Sequence, residues 1–254
     1  MRSEVRTELC IHTINLTEWK SLKWVMLMSK RGVIAITTVH DLKKSEEVKT
    51  FLTIAETQMR VLGYTEHSFR HVGIVSGTAG NIMEHLGYSE REVELAKIAG
   101  FLHDIGNAVN RNDHAHTGAI LAYQILTKMG MHCNEAAQIM MAIGNHDEQT
   151  GTAVSNISAA LILADKSDVH RSRVRNTDIA TFDIHDRVNY AVERSVISVN
   201  MEERTADLVL KINTEICPVM DYFEIFLTRM TMNRRAAAFL NLQFQLFVNE
   251  SKLI

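Results

Sequence analysis

The amino-acid sequence predicts a mainly α-helical protein, with a helical core followed by a small C-terminal α+β subdomain. Three observations carry that prediction. Apolar residues recur at helical spacing from about residue 41 to residue 170, in runs that glycines close. A single proline, Pro218, stands in 254 residues, so long helices meet almost no breaker. Beyond Arg175 the period changes, and β-branched residues alternate over two neighbouring stretches.

The elements follow in order. Residues 1–40 mix Trp19, Trp24 and several methionines with scattered charge and read as an N-terminal extension. Residues 46–62 place Val48, Phe51, Leu52, Ala55 and Met59 on one helix face, and Gly63 stops that helix. A second helix is expected over 65–86, ended by Gly87. A third is expected over 90–104, with Ser89 and Glu92 spaced as a capping box. Asp113 has the position of a cap for a fourth helix, 114–129, which Gly130 closes; a fifth spans about 133–143 and a sixth 153–169. The core domain is thus expected over 41–175. In the remainder, 176–254, residues 192–200 and 204–213 suggest a hairpin, 215–232 and 233–240 two helices, and Phe244–Val248 a strand. Asp186-Arg187-Val188-Asn189 reads as an ordered packing element.

Composition narrows the function. The net charge is -3, without the basic footprint of a nucleic-acid binder. Hydrophobic residues make up 46% and charged residues 22%, an ordinary globular balance, and no stretch reaches membrane-spanning length without charge. Cys10, Cys133 and Cys217 lie far apart with no metal or redox spacing, which fits a reducing, cytoplasmic setting. The aromatic residues Tyr222, Phe223, Phe226, Phe239, Phe244 and Phe247 serve to cover the core, with a homodimer seam as their alternative use.

The chemistry lies in polar residues that ride on apolar helices. His67 and His71, four apart, share a helix face. His103 and Asp104 close the third helix directly after Phe101-Leu102. Asp165 and Asp168 end the apolar run Ile157–Ala164, where a buried carboxylate is costly unless a cation meets it. His114 and His146 stand at a helix start and in a loop. Imidazoles and carboxylates in this number suit a hard or borderline divalent ion, which activates water and polarises the bond under attack. The further histidines leave room for a second ion. A His-Asp dipeptide alone is weak, since His146-Asp147 and His185-Asp186 also occur; its helix-end context separates His103-Asp104.

At Leu102-His103-Asp104-Ile105-Gly106 the chain resembles the HD superfamily of metal-dependent phosphohydrolases, in which a His, an HD dipeptide and a distant Asp meet in a helical bundle. The resemblance covers roughly residues 63–170. It implies an HD-type bundle and a metal set of His71, His103, Asp104 and Asp165, with His71 preferred over His67 because Gly87 follows it by sixteen residues. It further implies His114 and His146 as ligands of a second ion, as in the two-metal branches. The pattern is incomplete: Asn107 stands where the family usually has Lys, and Asn145-His146-Asp147-Glu148 lacks one histidine of a His-His-Glu element. Asn145 or Asp147 would complete the second site. The implied cofactors are one or two divalent ions, with Mn, Mg, Co, Ni, Fe and Zn all admissible. The implied substrate is a small phosphorylated molecule such as a nucleotide.

In the corresponding mechanism Asp104 orients or deprotonates water, His67 protonates the leaving group, and Lys166 pairs with Asp104 or a phosphate. Arg171 and Arg175 hold substrate phosphate, with Arg173 between them in the same basic run. A two-iron oxygenase on the same fold and a non-enzymatic nucleotide-sensing module are the competing readings.

Overall fold

The computed structural model describes residues 37–254, so the expected N-terminal extension lies almost wholly outside the described residues. The first helix, α1 (Val39–Lys44), begins two residues ahead of the expected onset, because Thr38 and Asp41 form a capping box. Ser45 ends it and caps α2 (Glu46–Val61). The chain then runs non-helically to Ser68. Helix α3 therefore spans Phe69–His85 rather than starting at 65. The reason is local: Glu66 N–H donates to the Arg173 carbonyl at 2.8 Å, and Ser68 caps Arg70. Gly63, Gly87 and Gly130 take φ of +79°, +78° and +90°, the left-handed stops expected after three helices.

Helix α4 (Glu90–Leu102) starts on the Ser89–Glu92 capping box, as its sequence indicates. It stops at Leu102, two residues short of expectation. His103 and Asp104 form the turn into a short 3-10 segment, Ile105–Ala108. Helix α5 (His114–Lys128) follows Asp113, but the Asp113 side chain caps nothing; it sits in the left-handed region at φ 59°. Helices α6 (Cys133–Gly144) and α7 (Asn156–Ser167) complete the bundle. Every residue of α7 from Ile157 to Ser167 is buried. It forms the axis on which α3, α4 and α6 pack.

The C-terminal part joins the same compact unit. The segment that stood out at Asp186–Asn189 is a short helix, α8 (Ile184–Ala191). The hairpin forms as β1 (Val192–Asn200) and β2 (Thr205–Ile212). The two expected helices are one, α9 (Val219–Phe239), since nothing between Met232 and Arg234 breaks it and Pro218 fixes its start. Strand β3 (Gln243–Val248) runs parallel to β2, and a short β4 (Ser251–Lys252) pairs with β3, giving a sheet in sequence order. Helix α9 packs between α7 and this sheet. Tyr222, Phe226 and Phe244 are buried there, whereas Phe239 is exposed. Among the described residues, no helix is long and apolar enough to cross a membrane.

Candidate metal centre

Two close backbone approaches assemble the site. A Cβ on Gly100 would lie 2.8 Å from the Ser76 backbone, so α3 and α4 are pressed together and His71 meets His103. A Cβ on Gly106 would collide with the His114 carbonyl oxygen and the Gly118 amide. The turn after Asp104 is therefore seated on the first turn of α5, which brings in His114. His146 enters from the end of α6 and Asp165 from α7. All six residues named from the sequence as ligands converge, and each is at least nine-tenths buried.

The imidazoles are held in one tautomer by their surroundings. The Nδ1–H of His103 donates to Gly100 at 2.9 Å, that of His114 to Arg111 at 3.1 Å and that of His146 to Ile143 at 2.6 Å. Each acceptor is the backbone carbonyl three residues earlier. A carbonyl can only accept, so the proton is on Nδ1 and the Nε2 lone pair is turned inward. In His71 the same work falls to the Asp168 carboxylate, 2.7 Å from Nδ1. Nε2 of His71 lies 3.2 Å from Nε2 of His103, and Nε2 of His114 lies 3.2 Å from Nε2 of His146. Two lone pairs at that distance repel unless a cation lies between them.

The carboxylates complete the arrangement. Asp165 Oδ1 is 3.4 Å from His71 Nε2 and 3.5 Å from His103 Nε2. Asp104 Oδ2 is 3.6 and 3.4 Å from the same two atoms. Such spacings are those of donors sharing one ion at about 2.0–2.2 Å. Asp104 Oδ2 is moreover buried without a hydrogen-bond partner, an orphan that an ion would satisfy. The other oxygen, Oδ1, accepts from Asn107 Nδ2 at 2.8 Å and stands 3.7 Å from His114 Nε2. Asp104 thus reaches toward both imidazole pairs. His71, His103 and Asp165 form one metal-competent cluster, and His103, Asp104 and His146 form another. The residues fit one or two divalent ions.

The electrostatics agree. Burial opposes charge on Asp104, yet His103 keeps its carboxyl well below the ordinary range. Asp165 behaves likewise through Lys166 and His103. Burial also opposes charge on His103, but Asp104 and Asp165 outweigh it and raise its pKa to about 10. The same field attracts a divalent cation. Burial pushes His146 well below an ordinary imidazole, and His114 is lowered for the same first reason.

Other residues named from the sequence fall elsewhere. Lys166 does not pair with Asp104. It is buried, 2.7 Å from Asp165 Oδ2 and 2.6 Å from Glu148, and so fixes which Asp165 oxygen faces the imidazoles. Glu148 also pairs with Arg229 of α9 at 2.9 Å. Asp168 orients His71, a role the sequence did not announce. Asn145 donates from Nδ2 to the Met141 carbonyl, and Asp147, which accepts from Gln149 N–H, lines a small pocket with His114.

A cleft of about 390 Å³ lies beside the centre, lined in part by Tyr64, His67, Arg111, Glu148, Arg173 and Arg229. The lining also includes Asp183, Asp186 and Asn189, with Ile225 and Phe226. His67 donates from Nδ1 to Thr65 at 2.6 Å, and burial holds its ring well below an ordinary imidazole. Arg171 and Arg175 are not in the lining. Arg171 pairs with Glu193 at 3.3 Å and Arg175 with Glu56 at 2.7 Å. The guanidinium of that run which reaches the cleft is Arg173, whose Nη1 donates to the Asp168 carbonyl at 2.6 Å.

Residues 64–177 match the family model described as the HD domain. This segment is an HD domain. Its buried His/Asp cluster is a metal site consistent with a hydrolase. The chain is 28% identical over 187 residues to an uncharacterized protein of Methanocaldococcus jannaschii, covering 64% of this chain and 71% of that one. It is 34% identical over 120 residues to ribonuclease Y of Lawsonia intracellularis, covering 43% of this chain but 20% of the ribonuclease. A solved structure described as a predicted HD superfamily hydrolase, from an uncultured Thermotogales bacterium, is 25% identical, covers 53% of this chain and 75% of its own, and superposes with a TM-score of 0.39.

Proposed function

We propose that this HD domain hydrolyses a phosphate ester of a small metabolite, a nucleotide being the substrate class that suits the cleft best. The single observation that carries the reading is the pair of inward-facing Nε2 dyads bridged by Asp104, opening beside a cleft lined with arginines. Bound ions would supply Lewis acidity and an activated water. The protein's own groups do the rest. Asp104, which faces both imidazole pairs, would hold the ions and orient the attacking water beside them. Arg111, Arg173 and Arg229 bring positive charge to the cleft, and the exposed Tyr64 ring stands at its edge beside Arg111. His67 is neutral by burial, so in the resting protein it is suited to accept a proton rather than to deliver one.

The test is a hydrolysis screen of the purified protein with added Mn²⁺, Mg²⁺, Co²⁺ or Fe²⁺. The panel holds phosphomonoesters, nucleotides, cyclic nucleotides and a short oligoribonucleotide, with and without oxygen. The reading expects anaerobic release of phosphate or cleavage of a small phosphodiester, abolished in the His103→Ala, Asp104→Ala double variant. Full activity in that variant would sink the proposed site. Turnover that demands oxygen would instead identify an oxygenase, and cleavage of the oligoribonucleotide alone would move the substrate class to RNA.

A further inference from the structure

The cleft holds three guanidinium groups, and they differ in how they are neutralised. Arg229 is paired with Glu148 and lies over the Phe226 ring at 4.6 Å. Arg173 is tied to the carbonyls of Asp168 and Glu66 and stands 3.9 Å from the Asp168 carboxylate. Arg111, among the described residues, has no carboxylate partner. Its contacts are long and neutral: Nη1 lies 3.4 Å from Asn107 Oδ1 and 3.3 Å from His114 Nε2, and the group sits 5.6 Å from the centre of the Tyr64 ring. Asn107 in turn donates to Asp104 Oδ1 at 2.8 Å. A single amide therefore ties the guanidinium to the carboxylate that spans the centre.

This placement poses an electrostatic problem. His114 Nε2 is one of the four lone pairs directed into the metal centre, and Arg111 stands within hydrogen-bonding distance of it. If that lone pair binds an ion, Arg111 loses an acceptor and faces a second positive charge a few ångströms away. Asp104 Oδ1, 3.7 Å from His114 Nε2, faces the imidazole side, whereas Arg111 has no carboxylate partner among the described residues. An anion that presents several oxygens at once relieves both charges, and a phosphoryl group does so while matching the planar fork of a guanidinium.

We infer that Arg111 grips the phosphoryl group of the substrate, holding its oxygens between the guanidinium and the His114–His146 side of the centre. The inference rests on the phosphohydrolase reading for its ligand. It assigns the contact to a residue outside the basic run 171–175, which the structure neutralises with Glu193 and Glu56.

Inorganic phosphate is the probe. It is titrated by calorimetry into metal-loaded wild type, Arg111→Gln, Arg111→Lys and Arg175→Gln, with metal content per chain measured for each. Loss of a bidentate charged contact is expected to weaken phosphate binding on the order of tenfold or more in Arg111→Gln. Arg111→Lys should recover part of that loss, and Arg175→Gln should bind as wild type does. Arg111→Gln with full metal content and phosphate affinity within twofold of wild type overturns the inference. Should Arg111→Gln lose metal or melt early, Arg111→Lys decides: weaker phosphate binding than wild type supports the contact, and equal binding overturns it. The two readings fail separately. Phosphate binding that depends on Arg111, in a protein that hydrolyses no ester, would reject the hydrolase and keep the contact. Ester hydrolysis indifferent to Arg111 would do the reverse.

Discussion

The two imidazole pairs meet at the same separation, 3.2 Å between Nε2 atoms, but their surroundings differ. The His71–His103 pair faces two carboxylates. Lys166 fixes Asp165, while Arg70 at 3.4 Å helps to hold Asp168 against His71. The field there keeps a proton on His103 up to about 10 when no stronger cation competes. The His114–His146 pair has only backbone carbonyls behind it and one Asp104 oxygen at 3.7 Å in front. Burial drives both of its rings toward the neutral form. One half is a trap for cations that a proton alone can satisfy. The other has facing lone pairs, a single Asp104 oxygen at 3.7 Å and a nearby guanidinium.

That contrast can be broken at several points. The largest effect is expected for Asp104→Ala, which removes the residue common to both halves. Turnover should fall by about 10²–10⁴-fold as water loses its orienting base, and elemental analysis should show less than full metal. Next comes Lys166→Met, which leaves Glu148 and Asp165 buried without their shared cation. Denaturant unfolding should show a loss of about 3–5 kcal/mol, since an unpaired buried charge remains. Asp168→Asn should be milder and confined to the first half. Chelator competition should report metal affinity about 10–100-fold weaker, with stoichiometry at the second half preserved.

The smallest effect is a pH dependence in metal-stripped protein, where the halves titrate in opposite senses. His103 has a raised folded pKa, so its contribution is complete below the unfolded value of about 6.5 and fades as pH rises toward 10. His146 and His114 have lowered folded pKa values, so their contribution is present above about 6.5 and fades as pH falls. The melting temperature in chelator should therefore peak near neutrality. A rise that continues to pH 9 would show that the two halves do not differ as described.

Much of this was legible in the sequence because it is local. Glycine stops, the Ser89–Glu92 box and the alternation in 192–200 depend on neighbours a few residues away, and so do the three carbonyl contacts that orient His103, His114 and His146. The helical core and the C-terminal strands were accordingly expected. What escaped depends on residues brought together from afar. Asp168 reaches His71 across 97 positions, and Glu148 meets Arg229 across 81. Arg171 and Arg175 looked like phosphate ligands because nothing in their own segment reveals Glu193 and Glu56. Arg111 is silent in the sequence because its significance is an absence: among the described residues it lacks the carboxylate that Arg173 and Arg229 have. Helix α9 runs unbroken through Asn233, where the sequence suggests one helix ending at 232 and another beginning at 233, and Asn233 itself is fully buried.

The carbonyl that sits three residues before each of His103, His114 and His146 makes ring orientation a local property. Each ring is locked by its own short stretch of backbone rather than by the ion. Each of these three orientations is therefore set within four residues of chain, by a contact that does not depend on the rest of the bundle. A substitution that disturbs one of these short segments is then expected to loosen the one ring it carries and leave the other two held.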